Sequence, residues 1–479
     1  MIKTRYIYLT LIFIFLLGLP VLGAENFSLL QKQIAGMANN PALPNNTTGI
    51  KIISLKTLET IYSQNEDLPL APASNMKIIT SAAALTLLKP EFTFRTTIFS
   101  DSPLNEGVIN GNLYIKGYGD PDLDTERLWM MARALTYKGI TEIKGDIIGD
   151  DTFFDQQRTG KGWKSTYGAA PYSAKISALS LNQNTVKVWI APSKKGSPGI
   201  ISLDPPGKYF KIINQIVTSG SHSYIYISRR LNPAGEDEIT VKGNIALNSM
   251  GESETINIAN PPLYVASAFY EMLRKEGINV TGSYKAGQMT GKLWQLLETS
   301  SRPLYAIIAE FNKHSVNFIG ELLLKYLAAR YGSVPGTIEK GEEVIKSKFL
   351  IPLVKTNTEG MVIADGSGLS PLNRITPAQF IDVLAYMYNN FDLSPDFISS
   401  LSIGGADGTL RKRFKNTSAE RKVRAKTGSI AGVSSLSGYT LSKDNEPMAF
   451  SIIMNNFYNY SVAHSVQDNI GILLSGFKR

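Results

Sequence analysis

At 479 residues with 43% hydrophobic and 10% aromatic content, the chain can bury large cores and should form more than one domain, which excludes disorder and fibre. It has no cysteine, so a disulfide framework and a lipid-acylated cysteine are both excluded. The formal charge of +9 gathers in late runs such as Arg411-Lys-Arg-Phe-Lys415 and Arg421-Lys-Val-Arg424. Those runs read as a solvated face or an attraction to acidic envelope polymers, and no nucleic-acid partner is expected of an exported chain.

Residues 1–24 read as an export signal: Lys3 and Arg5, an apolar run from Tyr6 to Leu22, then Gly23-Ala24. The run is short and ends on small residues, so cleavage is favoured over a membrane anchor, and the mature protein is expected in the periplasm. Alternation from Gly49 to Asn65 predicts two strands. A helix is then expected from about Ser74, with Ile78, Ile79, Ala82, Leu85 and Leu88 as its apolar stripe and Ser74 or Asn75 as its cap. Ser74 and Lys77 are three apart on that helix, which places their Cβ atoms roughly 5–6 Å from each other.

After Leu88-Lys-Pro90 the texture becomes short strands separated by Gly, Pro, Asn and Asp turns, with one helix at Thr125–Lys138. The strands are expected at 93–100, 112–117, 185–191, 209–218, 224–230 and 239–247. Helical texture returns at Pro261-Pro262 and continues through 303–311, 316–331, 337–348 and 377–389. Strands follow at 423–427, 435–442 and 449–455, then a closing helix near 463–474. The expected architecture is therefore an α/β (α+β) catalytic domain, residues 25–90 and 262–479, split by a largely β insertion at 91–261.

A serine hydroxyl needs a base beside it to act as a nucleophile, and a lysine can serve if burial and neighbouring charge keep it neutral. Alone, a Ser-x-x-Lys pair is more often a helix cap followed by a solvated lysine. Two further stretches change that balance. Lys313-His-Ser-Val-Asn317 supplies Ser-x-Asn before a helix, and Arg424-Ala-Lys-Thr-Gly428 supplies Lys-Thr-Gly on a strand. Ser-x-x-Lys, a Ser-x-Asn element and Lys-Thr-Gly, in this order, are the signature of β-lactamases and penicillin-binding proteins.

Other chemistries fit poorly. His314 sits beside Ser315, but adjacent helical residues point apart, and no Gly-x-Ser-x-Gly elbow exists. His222, His314 and His464 are scattered, and no metal is implied. Asp120-Pro-Asp-Leu-Asp124 lacks the glycine and glutamate of a calcium loop. Gly366-Ser-Gly368 reads as a tight turn rather than a phosphate cradle.

With these motifs placed, the chain resembles the low-molecular-mass class C penicillin-binding proteins, the D-alanyl-D-alanine carboxypeptidase/endopeptidase family. The likeness runs from about Ala71 to Asn456 and includes Gly117-Tyr-Gly-Asp-Pro-Asp122, Leu179-Ser-Leu-Asn-Gln-Asn184, Asp365-Gly-Ser-Gly-Leu-Ser370, Gly405-Ala-Asp-Gly-Thr-Leu410 and Ser434-Ser-Leu-Ser-Gly-Tyr439. The insertion behind the nucleophile helix is itself a mark of that family.

The resemblance implies a serine D,D-peptidase that acts on peptidoglycan stem peptides through an acyl-enzyme and is inhibited covalently by β-lactams, with no cofactor. Cleavage of D-Ala-D-Ala and of D-Ala-diaminopimelate cross-links are both expected. Rivals are a β-lactamase or a non-catalytic envelope-binding protein of the same fold. In the family's terms Ser74 is the nucleophile and Lys77 its base. Ser315 relays a proton to the leaving amine, Asn317 holds Lys77 and the substrate amide, and Lys426 gives positive potential. Thr427 grips the substrate carboxylate on the Lys-Thr-Gly strand with Gly428, and the N–H groups of Ser74 and Ser429 form the oxyanion hole. Asp150, with Asp151 as the other candidate, is expected to meet the ammonium of diaminopimelate. Three departures stand out: Val316 occupies the middle of Ser-x-Asn where many relatives have Asp, Ser429 rather than Thr follows Lys-Thr-Gly and keeps a hydroxyl, and Pro371 stands where relatives often carry an arginine, with Arg374 the nearest substitute.

Overall fold

The computed structural model describes residues 19–479 apart from Ala234, so residues 1–18 of the expected export signal lie outside the described residues. Among the described residues no helix is long and apolar enough to cross a membrane.

One antiparallel sheet of six strands frames the catalytic part. Its spatial order is Ser402–Ile403, Arg424–Ile430, Val433–Leu441, Pro447–Asn455, Thr48–Ser54, Thr60–Gln64. Period-two alternation sends side chains to opposite faces. Ile50, Ile52, Phe450, Ile452 and Met454 pack on one side against helices Leu19–Ala38 and Tyr460–Gly476. Ile53, Ala449 and Ile453 pack on the other side with helices Met76–Leu88, Asn317–Tyr331 and Pro377–Asn389. Helix Met76–Leu88 is therefore buried almost all round, more so than a single apolar stripe requires. Helix Leu19–Ala38 was not expected; its Leu30, Ile34 and Ala38 recur every fourth residue on the buried face.

The β-rich region holds four smaller sheets. A five-stranded sheet runs Tyr284–Ala286, Ile147–Asp150, Leu113–Gly117, Arg95–Ser100, Trp294–Ser300, beside a four-stranded sheet of very short strands and two sheets of three. The sequence reading places residues 262–300 with the returning catalytic part, and their packing differs. Helix Pro261–Lys275 puts Tyr264, Val265, Phe269 and Leu273 into the same apolar cluster as Ile98, Ile115 and Ile147. Strand Trp294–Ser300 pairs antiparallel with Arg95–Ser100. The apolar face of that helix is covered by the inserted strands, which is the physical reason it sits with them.

Candidate active site

Pro72 and Ala73 bend the chain sharply into the nucleophile helix, with Ala73 at φ 46°. A 3-10 turn over Ala73–Asn75 precedes the α-helix, which begins at Met76. Asn75 takes the N-cap position, as expected, but its side chain makes no capping hydrogen bond. Asn75 instead donates to Ser437 Oγ at 2.7 Å, which ties the turn to the central sheet. The Ser74 hydroxyl is thereby left facing Lys77, whose Nζ lies 3.1 Å from Ser74 Oγ.

Lys77 is completely buried and has two further partners, Asn317 Oδ1 and the Ser367 carbonyl, both at 2.7 Å. Burial lowers its pKa to about 7, against the opposing pull of Asp365 and Glu321. Near neutral pH this amine is therefore substantially unprotonated and hydrogen-bonded to a serine hydroxyl.

Ser315 precedes its helix at φ 58°, and its hydroxyl accepts from Lys426 Nζ at 3.0 Å. Lys426 is also fully buried and donates to the Thr427 carbonyl. Burial, with the nearby Lys77 charge, holds its pKa well below the ordinary lysine value. Val316 packs into the neighbouring apolar clusters, so its side chain points away from the polar groups as expected.

Strand Arg424–Ile430 lies directly against the nucleophile turn. A Cβ on Gly428 would come within 2.7 Å of the Pro72 carbonyl and 2.9 Å of Ser74 N. Only glycine permits that approach. Thr427 Oγ1 donates to Thr409 Oγ1 at 2.8 Å, and Ser429 is exposed at the strand's outer end. Ser74, Lys77, Ser315, Asn317, Lys426, Thr427 and Gly428 are thus brought together by one helix start, one helix cap and one strand.

Asp150 does not join them: its hydrogen-bond partners all lie within the inserted region. Its carboxylate is fully buried at the end of strand Ile147–Asp150, paired with Lys116 Nζ at 2.6 Å and accepting from Thr152 and from Met289 N. Burial alone would raise its pKa, but Lys116 and these N–H donors outweigh it and hold it below the usual carboxylate value. Asp151 is equally committed, to Arg158 and Ser177. Arg374 donates to the Pro371 and Asn373 carbonyls of its own loop, so it stabilises that loop.

Several site neighbours escaped the sequence reading. Asp365 accepts from Gly368 N, Ser370 N and Asn373, and from Trp163 Nε1 at 2.9 Å. Asn317 Nδ2 donates to the Tyr172 carbonyl at 3.0 Å. Trp163 and Tyr172 belong to the inserted region, so its loops, rather than its acidic strand end, reach the cleft. In sequence the Gly366-Ser-Gly368 segment reads only as a tight turn, and nothing local marks Trp163 or Tyr172.

The model of the D-Ala-D-Ala carboxypeptidase 3 (S13) family matches residues 30–476. The chain is 31% identical over 466 residues to a D-alanyl-D-alanine carboxypeptidase of Actinomadura sp., covering 94% of this chain and 85% of that protein. It is 27% identical over 389 residues to the D-alanyl-D-alanine carboxypeptidase DacB of Haemophilus influenzae, covering 80% of each. The crystal structure of penicillin binding protein 4 (dacB) from Haemophilus influenzae has the same fold, with a TM-score of 0.78 at 23% identity, covering 91% of this chain and 98% of that one. A family match over nearly the whole length, together with that shared fold, accounts for the three motifs and for the inserted sheets. The chain belongs to the D-Ala-D-Ala carboxypeptidase 3 (S13) family.

Proposed function

We propose that the protein is a serine D,D-carboxypeptidase that removes the terminal D-alanine of peptidoglycan stem peptides through an acyl-enzyme on Ser74. The observation that carries this is the buried Lys77 amine, 3.1 Å from Ser74 Oγ and with a pKa of about 7. The Oγ proton passes to Lys77 as Oγ attacks the penultimate D-Ala carbonyl. The resulting oxyanion lies between the N–H groups of Ser74 and Ser429. Ser315, bonded to Lys426, delivers a proton to the departing D-Ala amine, and water then hydrolyses the ester. Lys426 and Thr427 hold the substrate carboxylate, and Asn317 keeps Lys77 aimed. The same chemistry with a bulkier leaving amine would cleave D-Ala-diaminopimelate cross-links.

A Haemophilus influenzae relative of the same fold is known in complex with a β-lactam, and by likeness we propose that β-lactams acylate Ser74 here. We further propose that the catalytic domain comprises residues up to 90 and resumes near residue 301. The stem-peptide substrate places the enzyme in the periplasm. The test is mass spectrometry after incubation with a penicillin, beside assays of D-Ala release and cross-link cleavage on purified sacculi. Wild type should gain one penicilloyl mass and release D-Ala, and Ser74→Ala should do neither. A labelled Ser74→Ala would remove the nucleophile assignment.

A further inference from the structure

We propose that Glu321 is a positioning residue for Lys77: from beneath the cleft it clamps the Gly366–Gly368 turn, whose Ser367 carbonyl holds the lysine amine. The inference rests on the reading of Lys77 as the base. Glu321 lies one helical turn beyond Asn317, on the same face of helix Asn317–Tyr331. It is essentially fully buried, and its two oxygens accept from Gly366 N at 3.1 Å and Ser367 N at 3.0 Å. The turn it grips is packed without slack. A Cβ on Gly366 would meet the Gly320 carbonyl at 2.0 Å, and one on Gly368 would meet the Ala73 carbonyl at 1.8 Å. The Glu321 carboxylate, the Ser367 carbonyl and the Lys77 amine therefore form one continuous chain of contacts.

Charge adds a second link. The groups around Lys77 are Asp365 on the turn, Glu321 on its helix and Lys426 on the facing strand, while Glu321 itself faces Asp365, Lys77 and Lys325. Burial and then Asp365 push the Glu321 pKa up to about 8, against the two N–H donors and Lys77. An ionised Glu321 raises the proton affinity of Lys77. With its own pKa up at about 8, Glu321 carries that charge only on the alkaline side, so removing it frees neutral amine between pH 7 and pH 9 and leaves the acid limb in place. Nothing in the proposed reaction otherwise uses this buried acid.

The test follows the rate of acylation by a chromogenic β-lactam between pH 5 and pH 9 in wild type, Glu321→Gln, Glu321→Ala and Lys77→Ala. Glutamine keeps the size but sets an amide NH2 against one backbone N–H. Glu321→Gln should therefore acylate more slowly, and its rate should level off earlier between pH 7 and pH 9, the window in which the ionising Glu321 of wild type draws Lys77 back towards its protonated form. Glu321→Ala frees the turn and should lose acylation by roughly 10²-fold, the cost of an ångström-scale misplacement. A merely structural role would slow the reaction without changing the profile between pH 7 and pH 9. Glu321→Gln with the wild-type profile between pH 7 and pH 9, beside an inactive Lys77→Ala, overturns the role of Glu321 alone. A Lys77→Ala that acylates normally overturns the reading beneath it.

Discussion

Replacing Gly368 by alanine tests how tightly the nucleophile turn is held. Gly368 has φ 83°, a left-handed conformation that costs an L-residue roughly 1–2 kcal/mol. Its added Cβ would lie 1.8 Å from the Ala73 carbonyl oxygen, 2.5 Å from its carbon and 3.0 Å from Met76 Cβ. Ordinary contact begins at 3.4 Å, so backbone must open by more than an ångström. Overpacking of this kind adds about 1–3 kcal/mol. The yielding segment is Ala73, immediately before Ser74, so the hydroxyl leaves its place beside Lys77. Gly368→Ala should remain folded with a lowered melting temperature and lose acylation by roughly 10²-fold. Gly196→Ala is the control, since Gly196 has a similar φ of 79° but nothing within 4 Å. It should cost about the backbone term alone, roughly 1–2 kcal/mol, and acylate normally. Stopped-flow acylation with thermal melts measures both. A folded Gly368→Ala that acylates at the wild-type rate would refute the tight coupling of this turn to the nucleophile.

The wild-type acylation rate should fall as pH drops through about 7, because the lysine that must accept the Ser74 proton is held near that value and is charged below it; a rate flat from pH 5 to 8 would argue against Lys77 as base. Lys426→Ala should weaken binding of carboxylate-bearing substrates, and Lys426→His should recover part of that loss at low pH, where the imidazolium restores the charge; steady-state KM against pH reports both. Asp150→Asn should cost roughly 3–5 kcal/mol in denaturant melts, since it leaves Lys116 buried without its counter-charge, and should leave penicillin acylation unchanged. The Asp150 pKa is depressed on folding, so its contribution is present above the unfolded carboxylate pKa and disappears as pH falls through the lower folded value.

What the sequence discloses is what is local. Helix Pro377–Asn389 and strand Thr185–Ala191 are found at the residues expected, because a capping Thr376 with Gln379 and a clean alternation write themselves into adjacent positions. The site motifs are legible for the same reason: three residues of spacing fix Ser74 against Lys77. Strands Glu142–Ile143 and Val108–Ile109 are too short to show a period and form only by pairing with each other and with their outer neighbours in a four-stranded sheet. The fate of Asp150 was illegible because its partner Lys116 stands 34 residues earlier and meets it only across paired strands. Trp163 and Asp365 are 202 residues apart, and no spacing rule joins them.

Helix Asn317–Tyr331 explains how the inserted region is tied to the cleft. Asn317, Glu321 and Lys325 recur every fourth residue and so share one face. Each holds a different body: Asn317 meets Lys77 and the Tyr172 carbonyl, Glu321 grips the Gly366–Ser367 turn, and Lys325 meets Asp155 and the Gln157 carbonyl. Lys325 is completely buried, and its bond to Asp155 opposes the lowering of its pKa by burial. Phe153 and Phe154 add an apolar seam to Phe318, Leu322 and Tyr326 of the same helix. The inserted loop and the nucleophile's lysine are therefore fastened to one helix, little more than two turns apart. Tyr172 and Trp163 keep a fixed place relative to Ser74 because both ends of that arrangement are tied to the same backbone. The buried carboxylates Asp150, Asp151 and Asp155 pair with Lys116, Arg158 and Lys325, which holds those loops in shape.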